Sequence, residues 1–210
     1  MKFILTVLSS FLCLFLQGQK IHYNVATQKP QTHYANVSIN IEDWKSKTLR
    51  ITMPSWTPGS YLMREFAKSV DQVTAVSSGT TLAVQKIDKN TWEVNTKGFR
   101  NITINYPVYC NELSVRTSFV DVSHAYFNAT SLLMYIEGHK EKEGTVTFQK
   151  HENFSKITTA LPQGSDPETF VFEDYDQLAD CPVEIGNHNT LMELNGKYKN
   201  LHDLQFKPKM

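Results

Sequence analysis

Apolar and polar residues alternate one by one along much of the chain. In residues 33–42, Ala35, Val37, Ile39 and Ile41 alternate with Tyr34, Asn36, Ser38 and Asn40. In residues 101–110, Ile102, Ile104, Tyr106, Val108 and Cys110 share one parity, and Thr103 and Asn105 the other. A period of two puts successive side chains on opposite faces of a strand, so each segment predicts a sheet with one buried and one wet face. Shorter runs at 21–26, 48–53, 81–87, 91–96, 113–119, 132–137 and 145–149 extend the pattern. Turn signals punctuate it: Asp88-Lys89-Asn90 before Trp92, Glu143-Gly144 before Thr145, and Asn195-Gly196 between 191–194 and 197–199. The last is the strongest hairpin signal, because Asn-Gly suits a type I′ turn. Helical periodicity is confined to a turn or two in 61–70 and one more in 175–179. About ten short strands at regular spacing predict a mostly all-β chain, an antiparallel β-sandwich or curved sheet with one or two short helical turns.

The first residues break this pattern. Lys2 is followed by an apolar run from Phe3 to Leu16, and polar residues begin at Gln17. The run is shorter than the roughly 20 residues a membrane-spanning helix needs, and it fits the apolar core of a secretory signal peptide. We expect a signal peptide at 1–18, one domain over 19–210, and an exported protein that carries no membrane span once the leader is removed. Lys plus Arg and Asp plus Glu stand at 21 each, a balance without the basic footprint of nucleic-acid or anionic-membrane binding. Two cysteines, Cys110 and Cys181, follow the leader. In an oxidising compartment they either pair as a disulfide, which would stabilise by about 4 kcal/mol for so long a loop, or stay as two buried thiols. Neither has a second cysteine at metal-ligand spacing.

Candidate chemistry is sparse. His-Glu-x-x-His would put two zinc ligands on one helix face around a general base. The nearest string, His151-Glu152-Asn153-Phe154-Ser155, has serine at the second ligand position. His124, in Asp121-Val122-Ser123-His124, offers the ingredients of a Ser-His-Asp hydrolase, but neighbours so close in sequence rarely reach triad geometry, and no nucleophile elbow accompanies them. The acidic group Glu173, Asp174, Asp176, Asp180 and Glu184 lacks the alternation and turn glycine of an EF-hand loop and reads as solvated. Sequons occur at Asn36, Asn101, Asn128 and Asn153; the last two fall in apparent connections. The most distinctive segment runs from Pro54 to Glu65. Pro58-Gly59 suits the centre of a type II turn, Trp56 and Tyr61 flank it, and Arg64-Glu65 open a short helical stretch. Physically it is a rigid aromatic corner.

These residues resemble a known family. Trp56-x-Pro58-Gly59-Ser60-Tyr61 followed by Arg64-Glu65 is similar to the signature of the N-terminal domain of the glycyl aminopeptidase-type zinc metallopeptidases, family sixty-one of the metallopeptidases. Asp88-Lys89 before Trp92, Tyr106-Pro107-Val108-Tyr109, His124-Ala125-Tyr126-Phe127-Asn128, and the run from Asp174 to Gly186 follow in the same order. The resemblance implies a β-rich domain that precedes a thermolysin-like catalytic domain, and often a PDZ domain, in longer members. Zinc and the catalytic glutamate belong to that catalytic domain, so no catalytic, cofactor-binding or metal-binding residue is assigned in this chain. Against the family pattern, cysteines at 110 and 181 raise the disulfide alternative. The expected function is a non-catalytic N-terminal domain that braces and flanks a peptidase domain, present in cis or in trans and missing from this chain. An isolated copy would expose its docking face and either self-associate or be marginally stable. The alternative is a free-standing exported β-sandwich binding module using Trp56, Tyr61, Tyr126 and Phe127.

Overall fold

Two eight-residue strands, Tyr34–Ile41 and Ile102–Tyr109, pair antiparallel along their whole length and set the frame of the molecule. Their apolar parities coincide: Ala35 faces Val108, Val37 faces Tyr106, Ile39 faces Ile104 and Ile41 faces Ile102, all buried. On the wet face the polar parity pairs in turn, with Ser38 Oγ donating to Asn105 Oδ1 and Thr103 Oγ1 to Asn40 Oδ1, both at 2.8 Å. A one-residue slip would exchange the two faces, so burial fixes the register.

The structure, a computed structural model, describes residues 20–57, 60–196, 199, 200 and 203. In chain order the strands are β1 (Ile21–Ala26), β2 (Tyr34–Ile41), β3 (Thr48–Thr52), β4 (Thr74–Ser77), β5 (Thr80–Leu82), β6 (Val84–Lys86) and β7 (Thr91–Asn95). They continue as β8 (Ile102–Tyr109), β9 (Phe119–Val120), β10 (His124–Phe127), β11 (Tyr135–Ile136), β12 (Gly144–Gln149), β13 (Lys156–Thr158), β14 (Thr169–Phe172) and β15 (Val183–Gly186). Helices α1 (Tyr175–Asp180) and α2 (His188–Glu193) flank β15. A seven-stranded sheet runs β14-β12-β1-β2-β8-β4-β5, and two four-stranded sheets run β13-β15-β10-β9 and β11-β3-β7-β6. Pairing is antiparallel except between β1 and β12. The expectation of a mostly β, sandwich-type fold holds, with fifteen strands among the described residues where the alternation suggested about ten.

Several local readings change, among them 113–119, where only Phe119 enters a strand. Residues 81–87 are not one strand: the chain breaks at Ala83 and passes from the large sheet to the β6–β7 pair. Asn195-Gly196 closes no hairpin; it follows α2, and Asn195 adopts the left-handed conformation at φ 56. The tolerance of positive φ that suits asparagine to a type I′ turn suits it equally to ending a helix. Glu143 precedes β12 and Gly144 opens it, and the partners of β12 are β1 and β14 rather than the strand before it. The Asp88 turn is as expected: its carboxylate accepts from the backbone N–H groups of Asn90 (2.7 Å) and Thr91 (2.8 Å), joining β6 to β7.

The core holds a segment that is not a strand. Leu132, Leu133 and Met134 are fully buried with irregular backbone, where 132–137 had read as one strand. Only Tyr135 and Ile136 pair, with Thr52 and Ile51. Three buried tyrosines satisfy the backbone that the sheet does not. Tyr23 Oη donates to Met134 O (2.8 Å) and Tyr175 Oη to Leu133 O (2.6 Å). Tyr106 Oη accepts from Met134 N (2.9 Å) and donates to Leu132 O (3.3 Å). Burial pushes all three phenols above their ordinary range, so they remain neutral donors. An unpaired buried backbone group costs about 1–3 kcal/mol. Tyr175→Phe is therefore expected to lower urea-unfolding stability by about that amount, and Tyr106→Phe, which frees two groups, by more. Equal stability of wild type and Tyr106→Phe would contradict this account.

Candidate functional site

The Pro54–Glu65 corner keeps its apolar side chains outside. Trp56, Leu62 and Met63 are 49, 64 and 72 % exposed, and Tyr61 is fully so. Its backbone is nonetheless pinned. Trp56 Nε1 donates to Ser60 O at 2.7 Å, and Ser60 N donates to Thr57 O at 3.1 Å across the turn. Ser60 Oγ donates to Leu62 O at 3.0 Å, and Arg64 N to Ser55 O at 2.6 Å. Pro58 and Gly59, expected at the centre of that turn, lie outside the described residues. Glu65 precedes a 3₁₀ turn at Phe66–Ser69, shorter than the helix expected. Its carboxylate stands 3.6 Å from the Lys89 ammonium, bringing two separate sequence motifs together at the surface. Arg64 Nε is buried without a hydrogen-bond partner.

The aromatic patch expected from Trp56, Tyr61, Tyr126 and Phe127 is not one surface. Phe127 is in the core, stacked on Phe148 with ring centroids 6.1 Å apart. The cause is strand parity: on β10 Ala125 and Phe127 point inward, while His124 and Tyr126 share the opposite face. That face forms the floor of a second feature, a cleft of about 490 Å³. Tyr126 lies directly opposite Glu184 of β15, and His124 opposite Gly186. Walls come from Leu113 and Val115 on one side and Leu194 and Gly196 on the other. Tyr126 Oη donates to Val115 O at 3.4 Å, tying the first wall to the floor. Both glycines are matters of space. A Cβ on Gly186 would come within 3.2 Å of His124 Cβ, and one on Gly196 within 2.5 Å of Glu184 Oε1.

Ser123, His124 and Asp121 do meet, but not as a triad. Asp121 Oδ1 accepts from Ser123 Oγ (2.6 Å) and from the backbone N–H groups of Ser123 (2.8 Å) and His124 (3.0 Å). Ser123 Oγ also lies 2.8 Å from His124 Nδ1. The serine thus sits between carboxylate and imidazole, whereas a triad needs the imidazole between the other two. This is a turn brace. Burial lowers the His124 pKa, against the smaller opposing pull of the Asp121 and Glu184 charges.

His151-Glu152-Asn153-Phe154-Ser155 is a turn, with Phe154 N donating to His151 O at 2.9 Å. Among the described residues no group of three His, Cys, Asp or Glu is placed to hold a metal. The acidic run is not one loop: Asp174 caps α1, accepting from Gln177 N at 2.7 Å, and Glu184 is buried in β15. Asn128 is buried and caps a 3₁₀ turn, which removes it as a glycan acceptor, while Asn153 is exposed. Cys110 and Cys181 stand as thiols, the first buried with its pKa pushed up to about 12 by burial. Among the described residues no helix is long and apolar enough to cross a membrane.

Residues 22–187 match the Peptidase M61 N-terminal domain, and the chain belongs to that family. A crystal structure of an aminopeptidase N family protein from Idiomarina loihiensis superposes with a TM-score of 0.74 at 32 % identity, over 80 % of this chain. The chain covers 29 % of the length of that structure. No curated protein matches.

The histidines make stability depend on pH. His124 and His22 both have pKa values lowered by burial. Between the lowered value and the unfolded value near 6.5, the unfolded chain binds a proton that the folded chain refuses. Stability is therefore full above about pH 6.5 and is lost as pH falls below it. The carboxylates held low, Asp43, Asp88, Asp121 and Asp166, add the same sign only below about pH 4. Melting temperature should fall from pH 7 to pH 5, and His124→Gln should flatten that slope.

Proposed function

We propose that this domain flanks and braces the catalytic domain of an M61-type peptidase, docking through the corner at Trp56, Tyr61, Leu62 and Met63. The observation that carries the reading is an apolar run held outward by backbone hydrogen bonds. Exposed contiguous apolar surface marks an interaction site, and a preorganised loop loses little entropy when it is covered. The occupant follows from the family: in the Idiomarina loihiensis structure most of the chain lies outside the part this domain matches. Zinc and peptide cleavage belong, on this reading, to the catalytic domain. Full chain mixed with the unmatched part of that relative should bind it. Tyr61→Ser combined with Leu62→Ser, which touches no core residue, should weaken binding at least tenfold, about 1.4 kcal/mol. Sedimentation of the chain alone should show self-association that the double variant abolishes; a monomeric wild type that ignores the peptidase part counts against docking.

A second reading, a free-standing exported β-sandwich binding module, is favoured by the cleft beside His124, which lies apart from the corner. Both readings place the protein outside the cytoplasm, on the strength of the apolar run at 3–16 after Lys2. The test is N-terminal sequencing of the exported protein, expected to begin at Gln19. Recovery with Met1 in place would overturn export by cleavage.

A further inference from the structure

We propose that the outward face of the seven-stranded sheet, along β2 and β8, binds a neutral oligosaccharide. The proposal is independent of docking at the corner and of the cleft beside His124. Charged residues make up 20 % of the chain, and a soluble surface ordinarily carries charge at about a quarter of its positions or more. Yet the outward positions of β1, β2, β8 and β12 hold no Asp, Glu, Lys or Arg. Amides and hydroxyls stand there instead. Tyr34 lies opposite Tyr109 and Asn36 opposite Pro107, and the bonded pairs Ser38–Asn105 and Asn40–Thr103 continue the strip.

The strip is preformed. Ser38 Oγ and Thr103 Oγ1 occupy the amide oxygens of Asn105 and Asn40, which fixes each carboxamide and leaves its two N–H groups for another acceptor. On β1, Asn24 lies opposite Ser38 with its Oδ1 buried and unpartnered. Asn36 and Gln72, both exposed, join Ser38, Thr74, Asn105 and Pro107 around a hollow of about 140 Å³. Beyond Asn36, the rings of Tyr34 and Tyr109 lie 5.3 Å apart, with Tyr109 44 % exposed. A pyranose carries hydroxyls around its edge and C–H bonds on its faces. Fixed amides serve the first and aromatic rings the second. A phosphate or a sugar acid meets no cation along the strip, and Asp71 stands beside the Tyr34 hydroxyl. A peptide adds to a sheet along an edge strand, not across its face. Side chains already fixed by one another lose little freedom when a ligand arrives. Same-face rows are about 7 Å apart, so four rows span roughly 20 Å, room for several sugar units in line.

Titration of cellohexaose and of chitohexaose into the full chain, read by calorimetry and by the backbone amide resonances of β2 and β8, tests this. At least one hexaose is expected to bind and to shift those resonances, and to bind roughly tenfold tighter than its own disaccharide, about 1.4 kcal/mol. Tyr109→Ala should weaken that binding about fivefold, and Asn36→Ala by a similar factor. Both positions are exposed, so melting temperature should hold in at least one of the two variants. Leu113→Ala, at the cleft, should leave binding unchanged. Binding of neither hexaose, equal affinity for hexaose and disaccharide, unmoved β2 and β8 resonances, full affinity in both strip variants, or loss of binding in Leu113→Ala would each overturn the proposal.

Discussion

Three tyrosine hydroxyls hold the interior together. Leu132, Leu133 and Met134 thread the core without a strand partner, and Tyr23, Tyr106 and Tyr175 reach them from β1, β8 and α1. A segment with no ladder needs its peptide groups bonded some other way, because a buried orphan is costly. A phenol suits this role: its ring packs as a hydrophobe while its tip reaches a carbonyl. The consequence reaches outward. Asn128, just before the threaded segment, caps the turn at Ala129–Ser131 and also donates to Val115 O at 3.1 Å. The loop that walls the cleft is thereby tied to the core.

Two surfaces use this frame in different ways. The corner at Trp56 and Tyr61 is hydrogen-bonded through Ser55, Thr57, Ser60 and Arg64 and exposed in side chain. The cleft holds Glu184 on a strand, where cross-strand pairing with Tyr126 fixes its direction. Sites built on regular elements hold geometry better than sites built on loops. Here the floor is sheet and only the walls are loop.

The long alternating strands were legible from sequence because each carries one apolar parity against one polar parity. β1, β2, β7 and β8 fall where alternation puts them, and the turn at Asp88 where its side chain dictates. Residues 132–134 were not legible, since an apolar run reads the same whether its backbone partners are a neighbouring strand or three distant phenols. Asn195-Gly196 misled because positive φ serves a helix end as readily as a hairpin. The segment from Trp56 to Glu65 stood out in the sequence, although the exposure of Trp56, Tyr61, Leu62 and Met63 was not legible there. Glu184 escaped notice because it stood among four other acids that suggested a wet loop. The signal that separates it is its place between Val183 and Ile185, both buried, a parity that marks a strand.

The lone parallel pairing in the large sheet bears on how the chain is made. β1 sits between β2 and β12, and its His22 Nδ1 lies 2.7 Å from Thr145 Oγ1, 123 positions further along. Pairing so distant is slow, since the intervening chain must be gathered before any contact rewards it. While the ribosome is still working, β1 can join β2, but its other edge waits for β12 and then β14. A nascent chain in that condition has no closed sheet to unravel. The large sheet is completed only when its last strands have left the ribosome.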